Sequence, residues 1–217
     1  MTEAATTEDD RPVVGAVERL VRDDVERKKF LRMAGKRMGA GAAASSLAAF
    51  IAACGGSSSS GSSGDLAIVN YALTLEYLES QFYAKVVKRK LFSGKDLSVL
   101  KTFGHEENQH VAALHKVAKS LGTPAKRPKG KFPIHNAAQV TKLAAVVENL
   151  GAAAYLGAAG MIQSKEILAA ALAIHSIEAR HAATLNTLLK KSPTPHGAFA
   201  KPADMAKVLA AVKPFIA

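Results

Sequence analysis

The order of apolar and polar residues predicts that residues 65–217 fold as a set of α-helices. At the start of this segment, apolar side chains recur every three or four positions, which places them on one face of a helix. The pattern predicts a first helix near 65–91. The residues that carry it are Ile68, Val69, Ala72, Leu73, Leu75, Phe82, Val86 and Val87.

Turn and capping signals divide the rest of the segment. A turn at 93–96 predicts the start of a second helix with Asp96 as its N-cap. Gly122 with Pro124 beyond it predicts the end of this helix at Leu121, because glycine often follows the last helical residue and proline cannot continue a helix.

A long crossover separates the two halves of the helical segment. Residues 122–135 are basic and contain proline, and Asn136 with Gln139 resembles the capping box that begins a helix. A break around 160–164 separates this third helix from a fourth, which ends near position 191, and residues 204–216 predict a short final helix. The predicted fold class is therefore all-α, a four-helix bundle with one long crossover plus a short C-terminal helix.

Composition excludes several classes of protein. Of the 217 residues 48% are hydrophobic, which is too many for a disordered tail protein. One cysteine excludes an intramolecular disulfide and any cysteine-rich metal site. The formal net charge of +11 suggests an anionic partner, and +10 of it lies in residues 54–217, which hold 20 basic and 10 acidic side chains.

The two halves of the predicted bundle contain the same motifs. EYLESQFY, beginning at Glu76, aligns with ENLGAAAY, beginning at Glu148, 72 positions later. ENQHVAAL, beginning at Glu107, aligns with EARHAATL, beginning at Glu178, 71 positions later. Each half therefore supplies a Glu on its first helix and a Glu-x-x-His motif on its second.

This duplicated pattern predicts a metal centre. Residues three apart lie on one helix face, so Glu107 with His110, and Glu178 with His181, can each present a carboxylate and an imidazole to one ion. Four carboxylates and two imidazoles in a bundle core are the ligands of di-iron and di-manganese carboxylate sites. Oxygen and nitrogen donors favour iron or manganese over softer metals.

The distribution of glutamate supports this prediction. Six of the seven glutamates in residues 54–217 lie at or beside the motif positions, and Glu166 is the exception. Buried ionisable groups without partners are very costly, so a bound dication would compensate for gathering them. The seven are Glu76, Glu79, Glu106, Glu107, Glu148, Glu166 and Glu178.

These motifs resemble those of the ferritin-like superfamily, which includes bacterioferritin, rubrerythrin and manganese catalase. The phrases NYALTLEYLE at 70–79 and EARHAA at 178–183 are most similar to the branch of desiccation-related proteins. The resemblance implies that Glu107 and Glu178 bridge two metal ions. It also implies that Glu76 with His110, and Glu148 with His181, are the terminal ligands. The implied cofactor is two iron ions, with manganese as the alternative.

Several nearby residues have alternative roles. Glu79 shares a face with Glu76 and is a candidate for an additional or alternative ligand, and Gly151 at the repeat position opposite would leave space for its carboxylate. Glu106 has no acidic counterpart, so we place it outside the set of ligands. Tyr83 and Tyr155 either relay electrons or hydrogen-bond to a ligating carboxylate, or they are core aromatics with satisfied hydroxyl groups.

The first 64 residues predict export and membrane attachment. Residues 1–53 form an export signal with an N-terminal extension, in which RKKFLR at 27–32 resembles the twin-arginine motif with Lys at the second Arg. IAAC at 51–54 is similar to a lipoprotein box, which makes Cys54 the lipidated residue. Residues 54–64 then form a Gly/Ser tether. The predicted location of the domain is the outer face of the cytoplasmic membrane, in the cell envelope.

Three functions remain open on sequence alone. The first is a redox enzyme of the ferroxidase or peroxidase type, which oxidises Fe(II) and consumes oxygen or peroxide in stress protection. The others are a non-catalytic metal-binding protein and a structural lipoprotein. No nucleic acid is expected as a partner, because aromatic residues are not interleaved with the basic ones. A homodimer is left open.

Overall fold

The computed structural model describes residues 62–217. The predicted export signal, Cys54 and most of the predicted tether lie outside the described residues. The described chain forms α1 (Ser62–Lys88), α2 (Gly94–Leu121), α3 (Ala137–Ala159), α4 (Lys165–Leu188), α5 (Met205–Val212) and a 3₁₀ turn (Lys213–Phe215). None of the described helices is both long and apolar enough to cross a membrane.

The helix boundaries follow from local capping chemistry. The Asn136 side chain accepts a hydrogen bond from the Gln139 backbone N–H at 2.9 Å, which confirms the predicted start of α3. The prediction of Asp96 as the N-cap of α2 is wrong. Ser93 has the extended backbone of a cap residue, and α2 begins at Gly94. Asp96 lies in the first turn instead, where a negative charge is favourable near the positive end of the helix dipole.

The four long helices form the predicted bundle. α1 packs mainly against α2 and α3 mainly against α4, while the crossover at 122–136 joins the two pairs. The final helix is shorter than predicted, because α5 ends at Val212 and the chain turns back toward the crossover. There the Lys131 N–H donates to the Phe215 carbonyl at 2.8 Å, and the Ala217 N–H donates to the Lys129 carbonyl at 2.8 Å.

Two buried apolar layers lie at different levels of the bundle. The first layer consists of Val69, Ala72, Leu73, Tyr77, Leu114, Val117, Ala118, Tyr155, Ala171 and Ile174. The second layer consists of Phe82, Tyr83, Val86, Leu100, Phe103, Ile134, Val140, Ala144, Ala145 and Leu185. On each of the four helices a glutamate lies between the residues of the first layer and those of the second, or directly beside them. These glutamates are Glu76, Glu107, Glu148 and Glu178, and each is 0% exposed.

Candidate metal centre

The six predicted ligands come together in the bundle core. Their donor atoms form two groups, and within each group the atoms lie within 4.8 Å of one another. Glu107 and Glu178 belong to both groups, as expected for carboxylates that bridge two ions. The first group is Glu76, Glu107, His110 and Glu178, and the second is Glu107, Glu148, Glu178 and His181.

His110 lies at the centre of the first group. Its Nδ1 atom is 3.2 Å from an oxygen of Glu76, 3.2 Å from an oxygen of Glu107 and 3.1 Å from Oε1 of Glu178. One ring nitrogen carries at most one proton and so can donate to only one of these oxygens. Three carboxylates directed at one imidazole nitrogen are the arrangement expected around a shared cation.

His181 occupies the corresponding place in the second group. Its Nδ1 atom is 3.0 Å from Oε1 of Glu107 and 3.2 Å from Oε2 of Glu148. Among the described residues, Oε1 of Glu107 and both carboxylate oxygens of Glu178 have no hydrogen-bond partner. Buried oxygens left unpaired are costly, and a coordinated dication would satisfy them. The donor set therefore fits a carboxylate–histidine metal site.

In the absence of metal, the buried carboxylates strongly shift one another's pKa values. Burial, followed by the charge of Glu76, raises the pKa of Glu107 to about 7. Burial and the charge of Glu107 raise the pKa of Glu178 well above its usual range. Against the opposing effect of burial, the adjacent carboxylates of Glu107 and Glu148 raise the pKa of His181 to about 11. Protons thus neutralise part of the charge that a metal ion would otherwise balance.

Comparison with known proteins agrees with this geometry. A family model described as a ferritin-like domain matches residues 64–191, more than half of the chain. The chain belongs to the ferritin-like family. Comparison with curated proteins finds no match to the chain. The buried acidic and histidine groups of this ferritin-like domain are compatible with a metal site.

Two tyrosines of the ferritin-like domain bond to carboxylates of the site across the bundle. The Tyr155 hydroxyl on α3 donates to Oε1 of Glu76 on α1 at 2.5 Å, and the Tyr83 hydroxyl on α1 donates to Oε1 of Glu148 on α3. Both tyrosines are thus buried core residues whose hydroxyl groups contact carboxylates of the site. Each bond fixes one oxygen of its glutamate and leaves the other directed toward a histidine.

Glu79 lies beside the two groups but belongs to neither. It is 3% exposed, and burial followed by the charge of Glu178 raises its pKa well above the usual range. A Cβ atom added at Gly151 would lie 2.9 Å from Oε1 of Glu79 and 3.2 Å from Oε2 of Glu178. The absence of a side chain at Gly151 therefore provides space for the Glu79 carboxyl group, as the repeat comparison predicted.

Glu106 belongs to neither donor group and contacts the site from outside, through a partner that the sequence does not indicate. Its Oε2 atom lies 2.7 Å from Nε2 of His181, the ring nitrogen that faces away from the carboxylate cluster. A carboxylate on the outer nitrogen places the proton there and leaves the inner nitrogen free to bind a metal. The position corresponding to Glu106 on α4 is Ile177, so the repeat gives His110 no equivalent glutamate.

Proposed function

We propose that this ferritin-like protein binds two iron ions, with manganese as the alternative, and uses them to oxidise Fe(II) while consuming oxygen or peroxide. The observation that carries the proposal is the pair of donor groups that share Glu107 and Glu178. Two Fe(II) ions supply two electrons, which with two protons reduce dioxygen to hydrogen peroxide or hydrogen peroxide to two water molecules.

The protein's own residues have distinct roles in this proposal. Glu107 and Glu178 would each contact both ions, and their unpaired oxygens are available to do so. The hydroxyl groups of Tyr83 and Tyr155 hold one oxygen each of Glu148 and Glu76. Apolar side chains of both layers surround the site, and electrostatic interactions are stronger in such surroundings than in water.

Oxygen consumption tests the proposal. The full chain is purified without metal and mixed with two equivalents of Fe(II), and dissolved oxygen is followed with an electrode. We expect uptake from the unmodified chain, none from Glu107→Ala, and normal uptake from the control Glu166→Ala, whose carboxylate lies away from the site. Tight iron binding without uptake of oxygen or consumption of peroxide would contradict the redox function and leave a metal-binding protein.

We also propose that the domain is exported and anchored through a lipid on Cys54. The order of a basic segment, a short apolar segment and this single cysteine supports the proposal. Fractionation of cells expressing the full chain should place it in the membrane, and Cys54→Ala should release it from the membrane. Equal membrane attachment of both forms would contradict the lipid anchor.

A further inference from the structure

An apolar cavity of about 20 Å³ lies beside the first layer, between α1, α2, α3 and α4. Its lining surface is almost entirely apolar. The alanines that line it are Ala72, Ala154, Ala158, Ala170 and Ala171. Of these, Ala154 is 0% exposed. A cavity of this size has room for about one small molecule.

The internal repeat shows why the cavity is present on this side of the metal site. Ala154 corresponds to Phe82 at the offset of 72, and Ala171 corresponds to Leu100 at the offset of 71. Phe82 and Leu100 fill the second layer, where both are buried. The same comparison pairs two of the other alanines with larger residues, Ala158 with Val86 and Ala170 with Val99, while Ala72 pairs with Ala144. The chain thus has small side chains at the positions that large ones occupy on the opposite side of the metal site.

The cavity is one side chain away from the candidate metal centre. Tyr155 lines the cavity, and its hydroxyl group donates to Oε1 of Glu76 at 2.5 Å. Leu75, which also lines the cavity, directly precedes Glu76 in α1. On the opposite side of the site, Phe103 and Tyr83 pack edge to face, with their ring centres 5.9 Å apart. Space for a small molecule therefore adjoins the site on the side of the first layer.

The apolar lining of the cavity determines which kind of small molecule can bind there. A buried water molecule needs two to four polar partners, and genuinely empty cavities lined by apolar side chains stay dry. Hydrogen peroxide would lose its hydrogen bonds to water on entering, at a cost of several kcal/mol for unpaired polar groups. Dioxygen is small and apolar and loses none. We propose that this cavity binds dioxygen beside the metal centre, which makes dioxygen rather than peroxide the oxidant; this rests on the proposed redox function.

Xenon tests the cavity in the full chain without metal, because xenon is an apolar probe that enters dry cavities. We expect a ¹²⁹Xe NMR shift from the unmodified chain and loss of this shift in Ala171→Leu, which introduces the residue found at position 100. The matched control is Ala173→Leu, the same change at an exposed position of α4, and it should retain the shift. Ala158→Val is a smaller filling substitution to use if Ala171→Leu does not fold.

Oxygen kinetics test whether the cavity serves the metal centre. In the filled variant, the KM for dioxygen should rise while kcat, the affinity for Fe(II) and peroxide-driven oxidation of Fe(II) stay unchanged, because only a binding step is lost. An unchanged KM, or no xenon binding in the unmodified chain despite normal oxygen uptake, would overturn the cavity site alone. Xenon binding without any oxygen uptake would instead overturn the redox function, and the dioxygen assignment with it.

Discussion

Replacement of Glu106 is expected to weaken one metal site and leave the other unchanged. Its carboxylate lies 2.7 Å from the outer nitrogen of His181, and Ile177 occupies the corresponding position on α4. The side chain of Glu106 is 36% exposed, so Ala or Gln at this position leaves no buried cavity and the fold should be retained. A change in metal binding by this variant would therefore reflect the lost contact with His181 and not a loss of folding.

The expected magnitude follows from the role of the contact. Loss of an outer partner of a ligating histidine typically lowers metal affinity about 10- to 100-fold, which corresponds to about 1.4–2.7 kcal/mol of binding free energy. Glu106→Ala should show this loss in the group that contains His181, and the group that contains His110 should keep its affinity. Glu106→Gln retains an oxygen that can accept the hydrogen bond but loses the charge, so its loss should be smaller.

Anaerobic calorimetric titration of the metal-free chain with Mn(II) separates the two sites. The unmodified chain should show two binding events, of which Glu106→Ala weakens one. Glu166→Gln removes a negative charge elsewhere in the domain and serves as the control for net charge. Equal weakening of both binding events, or no weakening of either, would refute the claim that Glu106 supports only the site that contains His181.

Two further predictions concern stability. A Cβ atom at Gly157 would lie 1.9 Å from the Ala203 carbonyl oxygen, so Gly157→Ala should lower the free energy of unfolding by about 1–3 kcal/mol in urea denaturation. Gly160→Ala, whose Cβ meets nothing within 4 Å, should change it by less than about 1 kcal/mol, and equal effects would refute the steric argument. Burial and Glu76 raise the pKa of Glu107 to about 7, so the folded metal-free chain holds a proton that the unfolded chain loses at about pH 4.3. Stability should therefore fall as the pH rises from about 4.3 to 7, and the raised pKa of His181 should extend the fall above about pH 6.5. Urea denaturation with a chelator present measures this, and a slope that is unchanged in Glu107→Gln would contradict the role of Glu107.

The grouping of glutamate and histidine side chains in the core was predictable because its determinants are local. The i, i+3 spacing of Glu107 with His110 fixes two donors on one face of α2, and the repeat places the equivalent pair on α4. The helices bury their apolar faces in the bundle core, and the donors on those faces therefore point inward. No long-range information is needed beyond the order of the helices.

Other contacts depend on side-chain reach and on how neighbours pack. The sequence places Glu106 next to Glu107, but its bond to His181 crosses from α2 to α4 and depends on side-chain rotamers. Gly157 lies within α3, and its neighbours in the sequence do not indicate which part of the chain packs against it. The structure shows close packing by the backbone of Ala203, just before α5, and no helical periodicity encodes such a contact.

The cavity is a second feature that the sequence alone does not predict. The repeat pairs Phe82 with Ala154 and Leu100 with Ala171, so the difference in side-chain volume is visible in the sequence. Whether helices close the resulting space depends on how far they can move together, and the cost of a cavity varies with that relaxation. Only the packed structure shows that the space remains open.

Metal stoichiometry in two matched variants tests the central claim most directly. Glu178 belongs to both donor groups and Glu76 to one, and both substitutions to glutamine preserve side-chain size. Equilibrium dialysis against Fe(II) without oxygen should give two ions per unmodified chain, loss of both ions in Glu178→Gln, and retention of one in Glu76→Gln. Two ions bound by Glu178→Gln, or none by the unmodified chain, would contradict a shared-carboxylate metal centre.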